Sequence, residues 1–488
     1  SAQVARKCGE AGNMSDFITV PDGDFTLEDV TVPACLAGQS GDLIRTDITI
    51  RDGKLSDDPV EPKIAMGGAM VFPAFTDMHT HLDKGHIWGR APNPDGTFMG
   101  ALDTVRADCR ANWSADDVRT RMDFSLRCAY AHGTRAIRTH LDSIPPQNDI
   151  SWPVFEEVRA DWKGRIDLQA SCLVGMEGVT LPDEHDTYAH TAHLVAEAGG
   201  VLGAVTYPIP DLQPRLDRFF DLAEQYDLHT DLHVDETGDP SVATLRTIAE
   251  TVLHRGFEAP VTVGHCCSLA VQETDEWKHT LDLVAKAGIA VVSLPMCNMY
   301  LQARETGRTP RWRGVTLVHE MVERGIPVAF ASDNTRDPFY AYGDLDMLEV
   351  MREASRIAHL DHSRDDWPKA FTTTPAEICG FDAATYHAGT PADLVIVKAR
   401  TWTELFSRPQ SDRVVLRGGR AIDHMLPDHA DLDHLMEAKG WAKAHRALLT
   451  CRNPISKERL QLYLISISTP IPRPSGRSRV TSSGIRRC

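Results

Sequence analysis

Between residues 70 and 331 the chain repeats one pattern, a short apolar run followed by a stretch with hydrophobic residues at helical spacing. The runs cover residues 70–77, 134–140, 165–173, 200–207, 228–233, 259–264, 289–294 and 326–331. They are rich in Val, Ile, Leu and Ala and scarcely alternate, as strands buried on both faces do. Amphipathic stretches separate them, among them residues 115–131, 214–226, 241–255 and 316–324. In the second of these, Leu216, Phe219, Phe220, Ala223 and Tyr226 fall three and four apart and line one helical face. Pro214 suits a first turn, and Gly133, Gly164, Gly199, Gly256, Gly288 and Gly325 stand where helix C-caps are expected. Eight strand–helix repeats predict an α/β fold, a (β/α)8 TIM barrel over residues 70–384. A doubly wound open sheet would carry a glycine-rich phosphate turn after its first strand. Here that turn reads HTHLDKGH and holds no GxGxxG.

The flanks follow another pattern. Residues 15–69 hold short strand-like pieces at 25–30 and 43–50, broken by Asp-Gly turns, and residues 385–425 hold similar pieces. Neither half covers its own edges, so one small β-sandwich domain built from 15–69 plus 385–425 is expected. A helical extension is expected over 426–448. From residue 449 the chain turns rich in Ser, Pro and Arg, with eight basic residues and one acidic, which predicts a disordered tail over 449–488. Residues 1–13 carry no pattern.

Composition narrows the partners. The balance of 51 basic against 69 acidic residues gives a formal charge of −18, which repels phosphate backbones and argues against a nucleic-acid partner. No apolar run is long enough to span a membrane. Eleven irregularly spaced cysteines, with no CxxC and no secretory signal, point to a reduced cytoplasm and to cysteines that pack as small hydrophobes. Barrels of this size commonly form homo-oligomers, and no feature here sets a number.

On a parallel barrel the chemistry gathers where strands end. The first strand ends in His79 and His81, two apart and therefore on one side of a strand. The fifth ends in His233-Val234-Asp235-Glu236, the sixth in His265 and the eighth in Asp333. Each alone is a weak signal, because a strand-end His is usually a structural residue and an Asp there is often an N-cap. Together they make three histidines and a carboxylate, an ordinary ligand set for Zn²⁺ or Fe²⁺, with an acid and a base beside it.

This arrangement resembles the amidohydrolase superfamily. HTHLDK after strand one, HVDE after strand five, GHCCS after strand six and SDNTRDPFYAYGDLDML after strand eight resemble its cytosine deaminase branch, in order, across roughly residues 20–425. The resemblance implies that His79, His81, His233 and Asp333 bind one divalent metal, Zn²⁺ or Fe²⁺. It implies that Glu236 moves protons to the substrate ring and that His265 polarises the substrate or steadies the attacking hydroxide. Asp333 would also accept the proton of water. Strand four ends in Val205-Thr206-Tyr207, without the lysine that two-metal relatives carbamylate, so one metal is expected. The reaction implied is hydrolysis of an exocyclic amino group on a small N-heterocycle (cytosine-like, isocytosine, pterin or triazine), with release of ammonia. Cleavage of a cyclic amide, urea, carbamate or N-alkylamine bond by the same centre is the alternative.

Substrate contacts are expected from Met176, Asn334 and Phe339. Met176 falls where cytosine-selective members carry an amide-reading glutamine, and Asn334 where they tend to carry a second Asp. A thioether cannot make a paired amide contact, so both departures argue against cytosine.

Overall fold

The computed structural model describes residues 17–436 apart from Asp183, Gln410 and Ser411. The expected tail over 449–488, residues 437–448 of the expected extension and residues 1–16 lie outside the described residues.

Among the described residues sixteen strands run in chain order. The first five are β1 (Phe25–Pro33), β2 (Leu43–Arg51), β3 (Lys54–Ser56), β4 (Lys63–Ala65) and β5 (Met70–Pro73). The next eight are β6 (Phe75–Thr80), β7 (Thr134–Asp142), β8 (Asp167–Leu173), β9 (Leu202–Thr206), β10 (Thr230–Val234), β11 (Val261–His265), β12 (Ala290–Ser293) and β13 (Val328–Phe330). The last three are β14 (Leu394–Val397), β15 (Val414–Arg417) and β16 (Arg420–Ala421).

Strands from both ends of the chain join one sheet, ordered β16-β15-β14-β5-β1-β2-β3 with β4 paired to β1. The ladders therefore do not separate into the two sheets expected of a sandwich. The halves meet where β14 lies antiparallel to β5, Leu394 opposite Pro73 and Val397 opposite Met70. Period-two alternation explains why both strands are wholly apolar. Val71, Leu394 and Ile396 face the core of this sheet, while Met70, Phe72, Val395 and Val397 face the larger core.

That alternation corrects one expected boundary. The run 70–77 is two strands, β5 in the mixed sheet and β6 in the parallel array, so the junction falls near Ala74 and not at residue 69. Every residue of both strands is buried, and no change in hydrophobicity marks the crossing.

Strands β6 to β13 are parallel, each followed by helical structure. Their ladders form a three-stranded sheet, β6-β7-β8, and a five-stranded sheet, β9 to β13. Single parallel bridges join the edges: Ser171 with Val201, Gly175 with Val205, and Thr80 with Asp333. Among the helices are Ala115–His132, Leu212–Tyr226 and Thr244–Arg255, close to their expected bounds. The helix Ala115–His132 ends on Gly133 at φ 95°, where a Cβ would lie 2.3 Å from Val395 Cγ2, so glycine is required both by the backbone and by the packing.

Part of the expected C-terminal extension is described. A 3-10 turn, His429–Leu432, leads into one helical turn, Asp433–Met436. Leu432 packs with Phe124 and Cys128, and Arg90 Nη1 donates to the Leu435 carbonyl at 3.1 Å. Among the described residues no helix is long and apolar enough to cross a membrane.

Candidate functional site

The C-terminal ends of the parallel strands bring the histidines together. His79 is in β6 and His81 one residue past it, His233 is in β10, His265 ends β11, and Asp333 lies three residues beyond β13. Several of these turns are strained. Asp235, His265 and Asp333 are non-glycine residues at φ 51°, 69° and 65°. Such conformations cost of order 1 kcal/mol or more each and persist where surrounding bonds impose them. Here Asp235 accepts from Thr244 N (3.0 Å), Thr244 Oγ1 (2.6 Å) and Leu245 N (3.0 Å), capping the next helix and turning Glu236 away from the strand. Asp333 N donates to the His79 carbonyl at 2.9 Å, and Ser332 Oγ to Asp77 Oδ2 at 2.5 Å. The segment after β13 is thus pinned to β6.

Four donor atoms converge. His79 Nε2 lies 3.1 Å from His233 Nε2, which lies 3.4 Å from His81 Nε2. Asp333 Oδ1 is 3.2 Å from His81 Nε2 and 3.7 Å from His79 Nε2. A tetrahedral ion with bonds of about 2.0–2.1 Å sets its ligand atoms roughly 3.3 Å apart, so this set fits a divalent metal. His79, His81 and Asp333 form one group able to hold an ion, and His79, His233 and His265 another.

The electrostatics agree. Burial, with the charges of neighbouring His140, Lys84 and His79 respectively, holds His79, His81 and His233 well below the usual imidazole range. Neutral rings keep the lone pair that a metal needs. Burial pushes the Asp333 carboxyl up to about 7, and burial followed by the Asp333 charge pushes Glu236 well above the ordinary carboxylate range. A divalent cation suits such a nest of buried acceptors.

Beside the donors, Asn298 Nδ2 is 3.1 Å from Glu236 Oε1 and 2.9 Å from His265 Nδ1. An amide nitrogen only donates, so His265 Nδ1 accepts and its proton sits on Nε2, an atom with no partner among the described residues. Gln302 Nε2 holds the Glu236 carbonyl at 3.1 Å. Neither Asn298 nor Gln302 was singled out from the sequence. They lie on and just after the helix Pro295–Leu301, in no motif, and only the fold brings them to Glu236.

The expected substrate contacts divide. Met176 is fully buried in the main hydrophobic core, as a packing residue would be. Asn334 Nδ2 donates to Asp337 Oδ2 at 2.7 Å, and Phe339 meets Phe98 edge-on at 5.4 Å and lies 5.6 Å from Lys84 Nζ. The structure also brings in His140, with its ring 4.0 Å from that of His79, above an Arg138–Asp231 pair at 2.8 Å. His79, His140 and Asp231 make a third group of potential ligands.

Residues 182–423 match the model of the amidohydrolase family. The chain is 55% identical to the pterin deaminase of Rhizobium rhizogenes, over 86% of this chain and 99% of that protein. The chain belongs to the amidohydrolase family. The fold of this amidohydrolase is shared with the 5-methylcytosine deaminase of Klebsiella pneumoniae, solved with 5-fluorocytosine, at TM-score 0.69 and 24% identity over 83% of this chain and 98% of that one. The N-isopropylammelide isopropylaminohydrolase of Burkholderia multivorans superposes at TM-score 0.62, with 25% identity over 82% and 98%. This family member is a hydrolase of C–N bonds, a deaminase.

Proposed function

We propose that this deaminase hydrolyses the 2-amino group of a pterin, a 2-amino-4-oxo bicycle, giving the 2,4-dioxo ring and ammonia. Convergence of His79, His81, His233 and Asp333 beside the Glu236–Asn298–His265 chain carries the reaction type. The identity with a pterin deaminase over nearly that protein's full length supports the ring. The eight parallel strands form a (β/α)8 barrel in this reading, closed through the bridges at Ser171, Gly175 and Thr80.

His79, His81, His233 and Asp333 would hold one divalent ion, with Zn²⁺ and Fe²⁺ both suited to the donor set. When bound, such an ion acidifies water from 15.7 towards ~7 and makes hydroxide available at neutral pH. Asp333 accepts the proton that water gives up. Glu236, whose carboxyl is pushed well above the ordinary carboxylate range by burial and then by the Asp333 charge, delivers a proton to the ring nitrogen beside the carbon under attack. As oxygen adds to C2, His265 Nε2–H donates to the attacking oxygen and orients it, and Asn298 holds both side chains in place. The proton held by Asp333 passes to the amino nitrogen, the C–N bond breaks and ammonia leaves, while Glu236 takes up the hydroxyl proton as the ring carbonyl forms. A reduced cytoplasm suits the chain, whose described cysteines are all free.

The test is release of ammonia from a panel of pterins, cytosine, isocytosine, guanine and aminotriazines, with N-alkylated triazines assayed for free amine. A pterin is expected to give the highest kcat/KM. Activity confined to the N-alkylated rings or to cyclic amides would replace this reading with the alternative.

A further inference from the structure

Beside the metal donors lies a buried charge pair that the deamination steps do not use. Lys84, three residues past His81, has its ammonium 2.8 Å from Asp142 Oδ1 at the end of β7. The Lys84 side chain is 5% exposed and that of Asp142 is 21% exposed. Burial works against the Lys84 charge, but Asp142 and Asp83 outweigh it and hold the ammonium protonated. Asp142 N in turn donates to Asp83 Oδ2 at 2.7 Å. The ammonium sits 5.6 Å from the centre of the Phe339 ring, and its charge reaches Glu236, Asp333 and Asp337.

Two observations say what this pair is for. A buried ion pair adds little stability over apolar residues of the same volume, so its presence needs another reason. Among the amides near the donors, Asn298 is committed to Glu236 and His265, Gln302 to the Glu236 carbonyl, and Asn334 to Asp337. Met176 offers no amide contact from the core. Lys84, by contrast, makes no ion pair beyond Asp142 among the described residues, leaving ammonium hydrogens to donate, and Asp142 keeps a second carboxylate oxygen to accept.

We propose that Lys84 and Asp142 read the lactam edge of the substrate ring, Lys84 donating to its carbonyl oxygen and Asp142 accepting from its ring N–H. This subsite rests on the pterin reading above. It is a donor beside an acceptor, matched to a C=O beside an N–H, and it replaces the missing glutamine from the neighbouring strand. Phe339 then flanks the ring that the pair holds.

The experiment compares pterin with 2-aminopteridine, which lacks the 4-oxo group, in the wild-type holoenzyme and in Lys84→Met. Intrinsic reactivity cancels when the ratio of the two kcat/KM values is compared between proteins. Lys84→Met is expected to lower kcat/KM on pterin by about 10- to 100-fold, the loss of one charge-assisted hydrogen bond. On 2-aminopteridine it should change it less than about threefold, with metal content kept. Equal losses on both substrates would mean a structural pair and overturn the subsite, as would no loss on either. Asp142→Asn, read against N3-methylated pterin in the same way, decides the matter if Lys84→Met does not fold. A wild-type enzyme that turns over another ring and no pterin ends the substrate reading first, and the subsite with it, so the two failures are told apart by the wild-type assay.

Discussion

His79 Nε2 and His233 Nε2 lie 3.1 Å apart although 154 residues separate them along the chain. Both rings are fully buried and held neutral, and the Nδ1 atom of each has no partner among the described residues. Two lone pairs face to face at that distance are stable only around a cation or a shared proton. Asp333 Oδ1, within 3.7 Å of His79, favours the cation.

Removal of the metal is therefore expected to abolish ammonia release, and one equivalent of Zn²⁺ or Fe²⁺ per chain to restore it. His233→Ala should keep the far-ultraviolet circular dichroism of the parent and bind no metal. Elemental analysis beside the activity assay checks both, and full turnover by metal-free protein would refute the centre.

Glu236→Gln keeps the hydrogen bond to Asn298 but cannot carry a proton. Turnover should fall about 10²–10⁴-fold with metal content unchanged. Asn298→Ala frees both Glu236 and His265, and a loss of about 10- to 100-fold in kcat with little change in KM is expected. Steady-state kinetics on the substrate found by the panel reads both variants.

Gly264 packs behind His79, where a Cβ would lie 3.1 Å from His79 Cε1 and 3.3 Å from its Nδ1. Gly264→Ala should tilt that ring and weaken metal affinity by about 10-fold, at the low end for changes that disturb a ligand's support. Competition with a chelator of known affinity measures it. Unchanged affinity would mean that the ring yields freely.

Acid stability should depend on Asp346. It accepts from Leu348 N (3.0 Å) at the start of the helix Met347–Ala358 and pairs with Arg413, whose Nη1 reaches Asp346 Oδ1 at 2.8 Å and the His132 carbonyl at 3.0 Å. Burial raises the Asp346 carboxyl, but Arg413 and His132 outweigh burial and hold it well below the ordinary range. A depressed folded value contributes stability that is fully present above the unfolded value of about 3.9 and is lost as pH falls below it towards the folded one. Arg413→Met should lower stability by about 3 kcal/mol near neutral pH, through an unpaired buried carboxylate, and should flatten the decline below pH ~4. Thermal melts between pH 2 and 7 test the pair.

Much of the site was legible because strand ends announce themselves. His79 and His81 follow a run of buried apolar residues, and His233, His265 and Asp333 do the same, so one rule about where parallel strands carry chemistry found them all. Asn298 escaped that rule. It sits on a short helix after β12, and nothing in Pro295-Met296-Cys297-Asn298 marks it as the residue that bridges Glu236 and His265. Arg138 and Asp231 were hidden for a related reason, being polar residues inside runs whose apolar character defined the strands.

Local chemistry along the chain determined the parallel strands, the helix stops and the strand ends on which His79, His81, His233 and Asp333 stand, because periodicity and residue type act over a few neighbours. Tertiary structure alone decided which strand owns Met70–Pro73, since a strand between two cores is apolar on both faces and carries no mark of either. It also decided that Met176 belongs to the core and that Lys84 faces Asp142 from the next strand. Those pairings join residues tens of positions apart, and only packing sets distances of that kind.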